Sequence, residues 1–317
     1  MHNRINSKKI IMKKVSITIG IPALNEEGTI LFLLQDLQIQ EIADGEVEKI
    51  IIISDGSTDK TVEKVKSLKD KRIVVHGYKK RVGKSKRLNQ IIEKSVSDIL
   101  VLLDADTEVR DQEFIQKLIK PIVEKRAELT SSSIVELAPR SFVEEVLDVS
   151  MALKRVLFEN FKKGNNLYNC HGPARAVSKK LYKKLKFEEA LAGDDMYSYL
   201  RCIQLGGRFV FVKKVKIHYR LPSTFNGHLK QSVRYLSSIE SYSKLFSERL
   251  VRQELTIPKK VFIISGLKAL PIILRYPIHI VAYMGILSFV WFKSKTKINL
   301  AETWDVRSSK ILKNNNV

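Results

Sequence analysis

Cysteine is nearly absent from this chain: its 317 residues hold two, Cys170 and Cys202. Two thiols cannot build the disulfide framework of a small secreted domain, and their scarcity points to a reducing, cytosolic compartment. An apolar leader is also missing. Residues 1–13 are polar and basic, without the apolar core of a secretory signal, and read as a tail. Acid is the minority charge, with 34 Asp and Glu against 56 Lys and Arg and a formal net charge of +22. A basic surface attracts polyanions: nucleic acid, anionic lipid or nucleotide diphosphates. Aromatics interleaved with a basic patch are lacking, which removes nucleic acid from the expected partners. Several long apolar helices, as in a processive membrane polymerase, are lacking too.

What is present is a patterned chain with 44% hydrophobic residues, sized for one large domain and an appendage. Residues 15–21 read as a strand ending at Pro22. Residues 27–40 have helical spacing, with Ile30, Leu33, Leu34 and Leu37 on one face. Residues 49–53 form a β-branched run, as in a parallel strand buried on both faces. Asp55-Gly56-Ser57-Thr58-Asp59 supplies a turn and a helix cap before a helix at 61–68. A strand at 72–75, a helix at 82–95, an apolar strand at 98–103 and a helix at 113–125 follow, the last kinked or broken at Pro121. Beyond it, 130–135 reads as a strand, 142–161 and 196–205 as helices, and 208–212 and 215–219 as paired edge strands. The alternation predicts an α/β fold with a mostly parallel central sheet flanked by helices.

Ligands of such sheets bind at the carboxyl ends of the strands. There the polar residues gather: Asn25 and Glu26, then Asp55, then Asp104 and Asp106. One such Asp is ordinarily a turn or cap residue; acids at three strand ends make a polar site. Asp104-Ala105-Asp106 sets two carboxylates two residues apart after the buried run at 99–103. Such a pair suits Mg²⁺ or Mn²⁺, hard cations that take further oxygens from phosphate and water. The cation would neutralise charge on a departing diphosphate.

With these residues the chain resembles glycosyltransferase family 2, whose fold is GT-A. The matching motifs come in the family's order: Ile21-Pro22-Ala23-Leu24-Asn25-Glu26-Glu27, Asp55-Gly56-Ser57-Thr58-Asp59, Gly83-Lys84-Ser85 with Leu88-Asn89, and Asp104-Ala105-Asp106. The resemblance spans residues 14–235 and is closest in the first half. It implies transfer of a sugar from a nucleotide-diphosphate sugar, a UDP-sugar first, to a lipid-linked or glycan acceptor. Pro22, Ala23 and Glu26 would then line the base and ribose pocket, and Asp55 would accept a hydrogen bond from a uracil-like ring. Lys84 would face the diphosphate, Asp104 ribose or metal, and Asp106 the metal. The family's general base is the Asp of a Glu-Asp or Asp-Asp pair. Gly193-Asp194-Asp195 fits, with Asp195 as base, Asp194 as its neighbour, and inversion as the outcome. The plain alternative for this pair is a cap on the helix that starts near Met196. Gln231-Ser232-Val233-Arg234-Tyr235 resembles the QxxRW of membrane-linked synthases, with Tyr for Trp. Gln231, Arg234 and Tyr235 would meet diphosphate or acceptor, or would simply belong to an amphipathic helix. His218 would be a third metal ligand or a structural His. His171 would belong to an acceptor-side loop or have no role.

Near the C-terminus, 261–292 is apolar but broken by Lys268, Pro271, Arg275 and Pro277. Its longest piece free of Lys and Arg, residues 276–292, has 17 residues. As a helix it measures about 25 Å, against a bilayer core of about 30 Å. Lys259 and Lys260 precede the segment, and Lys293, Lys295 and Lys297 follow it. Positive charge on both sides disfavours a single crossing and favours a broken helix pair lying in the cytosolic leaflet, with Lys268, Arg275 and His279 near one face. A buried core hairpin is the alternative. The expected division is a basic tail (1–13), a catalytic domain (14–255), interfacial or membrane helices (256–300) and a polar tail (301–317), on the cytoplasmic face of the cell membrane.

Three other readings compete with this one. A phosphate-binding P-loop fails on spacing, because Gly77 misses the required position 78, which is Tyr. A nucleotidyltransferase also uses paired acids and a divalent metal, but the turn after the first strand lacks its glycines. A non-enzymatic, membrane-bound nucleotide-binding module explains the charge but not the acids at the strand ends.

Overall fold

The structure, a computed structural model, describes residues 14–294 except 190 and 192. The expected tails 1–13 and 301–317, and Lys295 and Lys297, lie outside the described residues. The first half runs β1 (Val15–Ala23), α1 (Ile30–Gln38), β2 (Gly45–Asp55), α2 (Thr61–Lys66), β3 (Ile73–Tyr78), α3 (Lys84–Lys94) and β4 (Ile99–Leu103). Next come β5 (Thr107–Glu108), α4 (Phe114–Val123), β6 (Leu129–Glu136), α5 (Phe142–Asn160), β7 (Ala174–Ser178), α6 (Lys179–Tyr182), α7 (Asp194–Gln204) and β8 (Phe209–Tyr219). Four helices close the chain: α8 (Phe225–Leu245), α9 (Glu248–Leu255), α10 (Lys259–Arg275) and α11 (Pro277–Ser294).

The eight strands form one sheet in the order β3-β2-β1-β4-β7-β6-β8-β5. β3, β2, β1 and β4 are parallel, β7 is antiparallel to both its neighbours, and β6 pairs parallel with β8. The order β2-β1-β4 sets the three acid-bearing strand ends side by side. Period-two alternation divides the core between the faces. Ile50 and Ile52 join Ile17, Ile19 and Ile21 under α1, whereas Ile51 and Ile53 join Leu88 and Ile91 of α3. α3 lies so close to β1 that a Cβ on Gly20 would come within 2.3 Å of the Ile91 side chain.

The expected apolar stripe of α1 is observed: Ile30, Leu33, Leu34 and Leu37 are buried. The helix starts at Ile30 rather than 27 because the Glu26 carbonyl first closes a turn, accepting from the Thr29 and Ile30 amides. The helix containing Pro121 ends two residues later, at Val123. The expected edge pair at 208–219 is instead one strand, β8. Both its halves pair with β6, and the register jumps from Ser132↔Val212 to Ser133↔Lys216. The charged Lys213 and Lys214 are exposed at this bulge, which resembles a turn in sequence but lets the strand continue.

Among the described residues no single helix is long and apolar enough to cross a membrane. The helical segment ending at Arg275 and the one beginning at Pro277 meet at a bend of 113°. A proline disfavours helical geometry in the residue before it, and Tyr276 leaves the helix with φ −128° and ψ 49°. The bend distributes Lys268 and Arg275 to α10 and His279 to α11, so they do not share one helical face. Lys268 Nζ donates to Asn160 Oδ1 at 2.6 Å, and His279 Nε2 lies 3.5 Å from Glu145 Oε2, both partners on α5. The pair thus rests on the domain through Lys268, His279, Ala269, Tyr283 and Val290 and leaves an apolar face outward: Leu267, Leu274, Ile278 and Val281 are each more than 70% exposed. This overturns the buried-hairpin alternative.

Candidate active site

The acid-bearing strand ends open into a cleft of about 980 Å³. Pro22, Leu24 and Glu26 line it from the end of β1, Arg81 to Ser85 from the start of α3, and Asp104 to Asp106 from the end of β4. The turn after β1 is held from below. Asn25, at φ 54°, accepts from the Thr58 amide at 2.7 Å, while its own amide donates to Ser57 Oγ. The Glu26 amide donates to Thr61 Oγ1 at 2.7 Å. The Asp55-to-Asp59 motif therefore braces the β1 turn.

Two residues expected in the donor pocket lie elsewhere. Ala23 is buried beneath it and does not line the cleft. Asp55 is fully buried, and both its oxygens are taken. They accept from the Val82 and Gly83 amides, each at 2.9 Å, and from Arg87 Nε at 2.6 Å. Here Asp55 anchors the loop into α3 rather than facing a uracil-like ring. Gly83, at φ 100°, adopts a backbone open to glycine and strained for other residues, and so aims Lys84 into the cleft.

Lys84 Nζ lies 2.7 Å from Asp104 Oδ1 and 3.2 Å from Asp194 Oδ1. Burial alone would lower its pKa, but these two carboxylates raise it above the ordinary lysine value. Arg175, 1% exposed on β7, also pairs with Asp194. Burial opposes ionisation of Asp194, yet Lys84 and Arg175 bring its pKa below the usual carboxylate range. Asp195 shifts the other way: burial and the adjacent Asp194 charge raise its pKa. The pair is thus divided into a locked anion and a more basic carboxylate. Both lie in the first turn of α7, whose N-cap is Gly193 without a side-chain cap, so neither acid caps the helix. The Gly193 carbonyl accepts from Tyr242 Oη of α8 at 2.5 Å, which fixes the approach to this turn.

The loop at 171–173 completes the floor. The Asp104 amide donates to the Pro173 carbonyl at 3.1 Å. A Cβ on Gly172 would lie 3.6 Å from both Asp104 Oδ2 and Asp195 Oδ2. His171 lines the cleft, its ring edge-on to Phe211, and burial with nearby Arg155 lowers its pKa to about 3. It is neutral at pH 7. Gln231, Arg234 and Tyr235 all line the cleft from α8. Burial, Tyr168 and the Asp195 charge raise the Tyr235 pKa.

His218 does not join this group. It sits on β8 opposite Glu108, away from the cleft wall, with its buried Nδ1 lacking a hydrogen-bond partner. Among the described residues no group of three or more His, Cys, Asp or Glu is arranged to hold a metal. The third-ligand expectation is corrected: Asp104 and Asp106 remain as two carboxylate sources, and phosphate and water would have to complete the shell of a hard cation. Arg175 was missed in the sequence. Its one signal was a charged residue inside the short run Ala174-Arg175-Ala176-Val177, where a buried strand would exclude an unpaired charge.

Residues 18–186 match the family model described as glycosyl transferase family 2. An uncharacterized glycosyltransferase of Methanocaldococcus jannaschii is 25% identical over 203 residues, which cover 62% of this chain and 65% of that relative's length. In architecture the chain is similar to a mannosyltransferase from Pyrobaculum calidifontis in complex with GDP-Man and Mn²⁺. The TM-score is 0.58 at 15% identity, over 92% of this chain and 79% of the other. It is also similar to glucosyl-3-phosphoglycerate synthase from Mycobacterium tuberculosis in complex with Mn²⁺ and uridine-diphosphate-glucose. There the TM-score is 0.52 at 19% identity, over 72% and 78% of the two chains. These likenesses identify the fold as GT-A.

Proposed function

The chain belongs to glycosyl transferase family 2 and is a glycosyltransferase, and from that premise we propose an inverting reaction. A sugar moves from a nucleoside-diphosphate sugar, a UDP-sugar first, to a lipid-linked or polysaccharide acceptor. The observation that carries this reading is the approach of Asp104 and Asp195 to the same point beside Gly172. A donor-side carboxylate and a half-buried, more basic one flank a space floored by a residue without a side chain. The anomeric carbon fits there.

Asp195 then takes the proton of the acceptor hydroxyl as that oxygen bonds to the anomeric carbon. The bond from this carbon to the diphosphate oxygen breaks on the opposite face, which inverts the centre. Asp194, held by Arg175 and Lys84, stays ionised and keeps Asp195 basic. Lys84 lies at the diphosphate side, its ammonium already poised between two acids. Asp104 and Asp106 would hold Mg²⁺ or Mn²⁺, which supplies positive charge to the departing diphosphate.

The test is a thermal-shift screen of UDP, GDP, CDP, ADP and dTDP sugars with and without Mn²⁺. With two protein carboxylates and no third ligand among the described residues, metal alone should stabilise little, and metal with the correct nucleotide much more. At one hundred times Kd the gain is about 2.7 kcal/mol, a shift of several degrees. Asp106→Asn should erase the metal-dependent part and leave the melting of the free protein intact. No stabilisation by any nucleotide in a folded sample would sink the reading.

The outward apolar faces of α10 and α11, together with the net charge of +22, support residence on the cytosolic face of a membrane. The full chain should float with vesicles containing anionic lipid. Leu267→Glu with Leu274→Glu and Ile278→Glu, all at exposed positions, should leave it in the soluble fraction. Flotation of the triple variant equal to that of the parent would refute the docking.

A further inference from the structure

The cleft is larger than a donor and a general base require, and its acids, with Arg81 and Lys84 among them, are confined to one side. The acids on its wall, Glu26, Asp104, Asp106, Asp194 and Asp195, all come from the sheet ends and α7. α5, α8 and the loop after β8 contribute Lys154, Arg155, Arg220 and Arg234 and no acid. α11 adds Tyr283, Leu287 and Val290 to the same wall. We propose that this second half binds the acceptor as a phosphate-bearing lipid. Its head group rests on Lys154, Arg220 and Arg234, and its chain lies along α11. The inference deepens the transferase reading above and rests on it.

Two observations separate these cations from ordinary surface charge. Among the described residues Lys154 and Arg234 form no ion pair, although both line a concave wall. Arg155 and Arg220 are paired, with Glu136 and Glu144. Arg220 is only 8% exposed, and its Nε is buried without a hydrogen-bond partner. An unsatisfied buried guanidinium donor is costly, and a phosphate with several acceptor oxygens offsets that cost. Inorganic phosphate would satisfy the charge but not the rest of the wall. Tyr283 and Val290 face inward, 9% and 3% exposed, while Val281 and Met284 of the same helix are 73% and 58% exposed. Leu287, which lines the cleft and is 41% exposed, joins the cationic wall to that outer apolar surface. A polysaccharide would meet aliphatic side chains there and leave its hydroxyls unsatisfied; a lipid chain would not.

The experiment titrates the full chain in zwitterionic detergent with farnesyl phosphate, farnesol and inorganic phosphate, and separately with the nucleotide that stabilises it best. Farnesyl phosphate should saturate, and the other two should not in the same range. Lys154→Met should weaken farnesyl phosphate about tenfold, the worth of one charge-assisted hydrogen bond, while nucleotide affinity stays within about twofold. Leu287→Glu, at an exposed position on the cleft wall, should weaken the same probe. Equal binding of farnesol, or competition by inorganic phosphate at the same concentration, overturns the lipid phosphate. An equal loss of nucleotide affinity in Lys154→Met assigns the cations to the donor and also overturns it. Failure of the transferase reading looks different: nucleotides do not bind the parent protein at all.

Discussion

Asp195→Asn should stop sugar transfer while leaving nucleotide affinity nearly unchanged. The amide keeps the size of the side chain and can still accept from the Met196 amide, a contact of 2.8 Å in the parent. It cannot take a proton at neutral pH. A positioned general base contributes about 10²- to 10⁴-fold, so kcat should fall by that factor with little change in Tm. The pH profile adds a second reading. Burial and Asp194 raise the Asp195 pKa, so the acid limb of kcat/KM should lie above the ordinary Asp value of about 3.9. Activity is lost as pH falls through that limb, because protonated Asp195 accepts no proton. An Asp195→Asn enzyme that keeps most of its turnover would remove Asp195 from the chemistry.

Arg175→Met should cost the fold more than any surface change. Arg175 is 1% exposed and holds Asp194; its Nη1 also lies 3.4 Å from Ser198 Oγ. Removing it leaves a largely buried carboxylate with Lys84, at 3.2 Å, as its remaining ion-pair partner among the described residues. Breaking a buried pair in this way costs about 3–5 kcal/mol. The sign of the pH dependence follows from the lowered Asp194 pKa. Stability from a carboxylate with a lowered folded pKa is full above its unfolded value, about 3.9, and is lost as pH falls through the folded one. The gap in unfolding free energy between parent and Arg175→Met should therefore be widest at neutral pH and narrow in acid. Unchanged melting at pH 7 would mean that Arg175 does not stabilise this site.

Much of this was legible in the chain itself. β-branched and apolar runs at 49–53 and 99–103 can satisfy both faces of a parallel strand and little else, and both are buried strands. The spacing of Ile30, Leu33, Leu34 and Leu37 admits one buried helical face, which is the face observed. Asp104, Asp106, Lys84 and the Asp194-Asp195 pair were visible as motifs because short spacing and strand ends are local properties. Asp55 was also visible as a motif but was assigned to a ring it does not face. Its distant partner Arg87 occupies it, and pairing across 32 residues leaves no local trace.

What the sequence by itself determined is therefore the strand–helix alternation, the family and the residues at the strand ends, since all three follow from spacing along the backbone. Tertiary structure alone decided the rest. It made one bulged strand of 209–219 and left His218 outside the cleft. It turned Lys268 and His279 onto α5, and it set Arg175 beneath Asp194. It also brought α5, α8 and α11 around a cationic and apolar half of the cleft. The physical reason is common to all of these. Charge pairing, burial and pKa depend on distances of a few ångströms between residues tens to more than a hundred positions apart, and no periodicity in the chain records them.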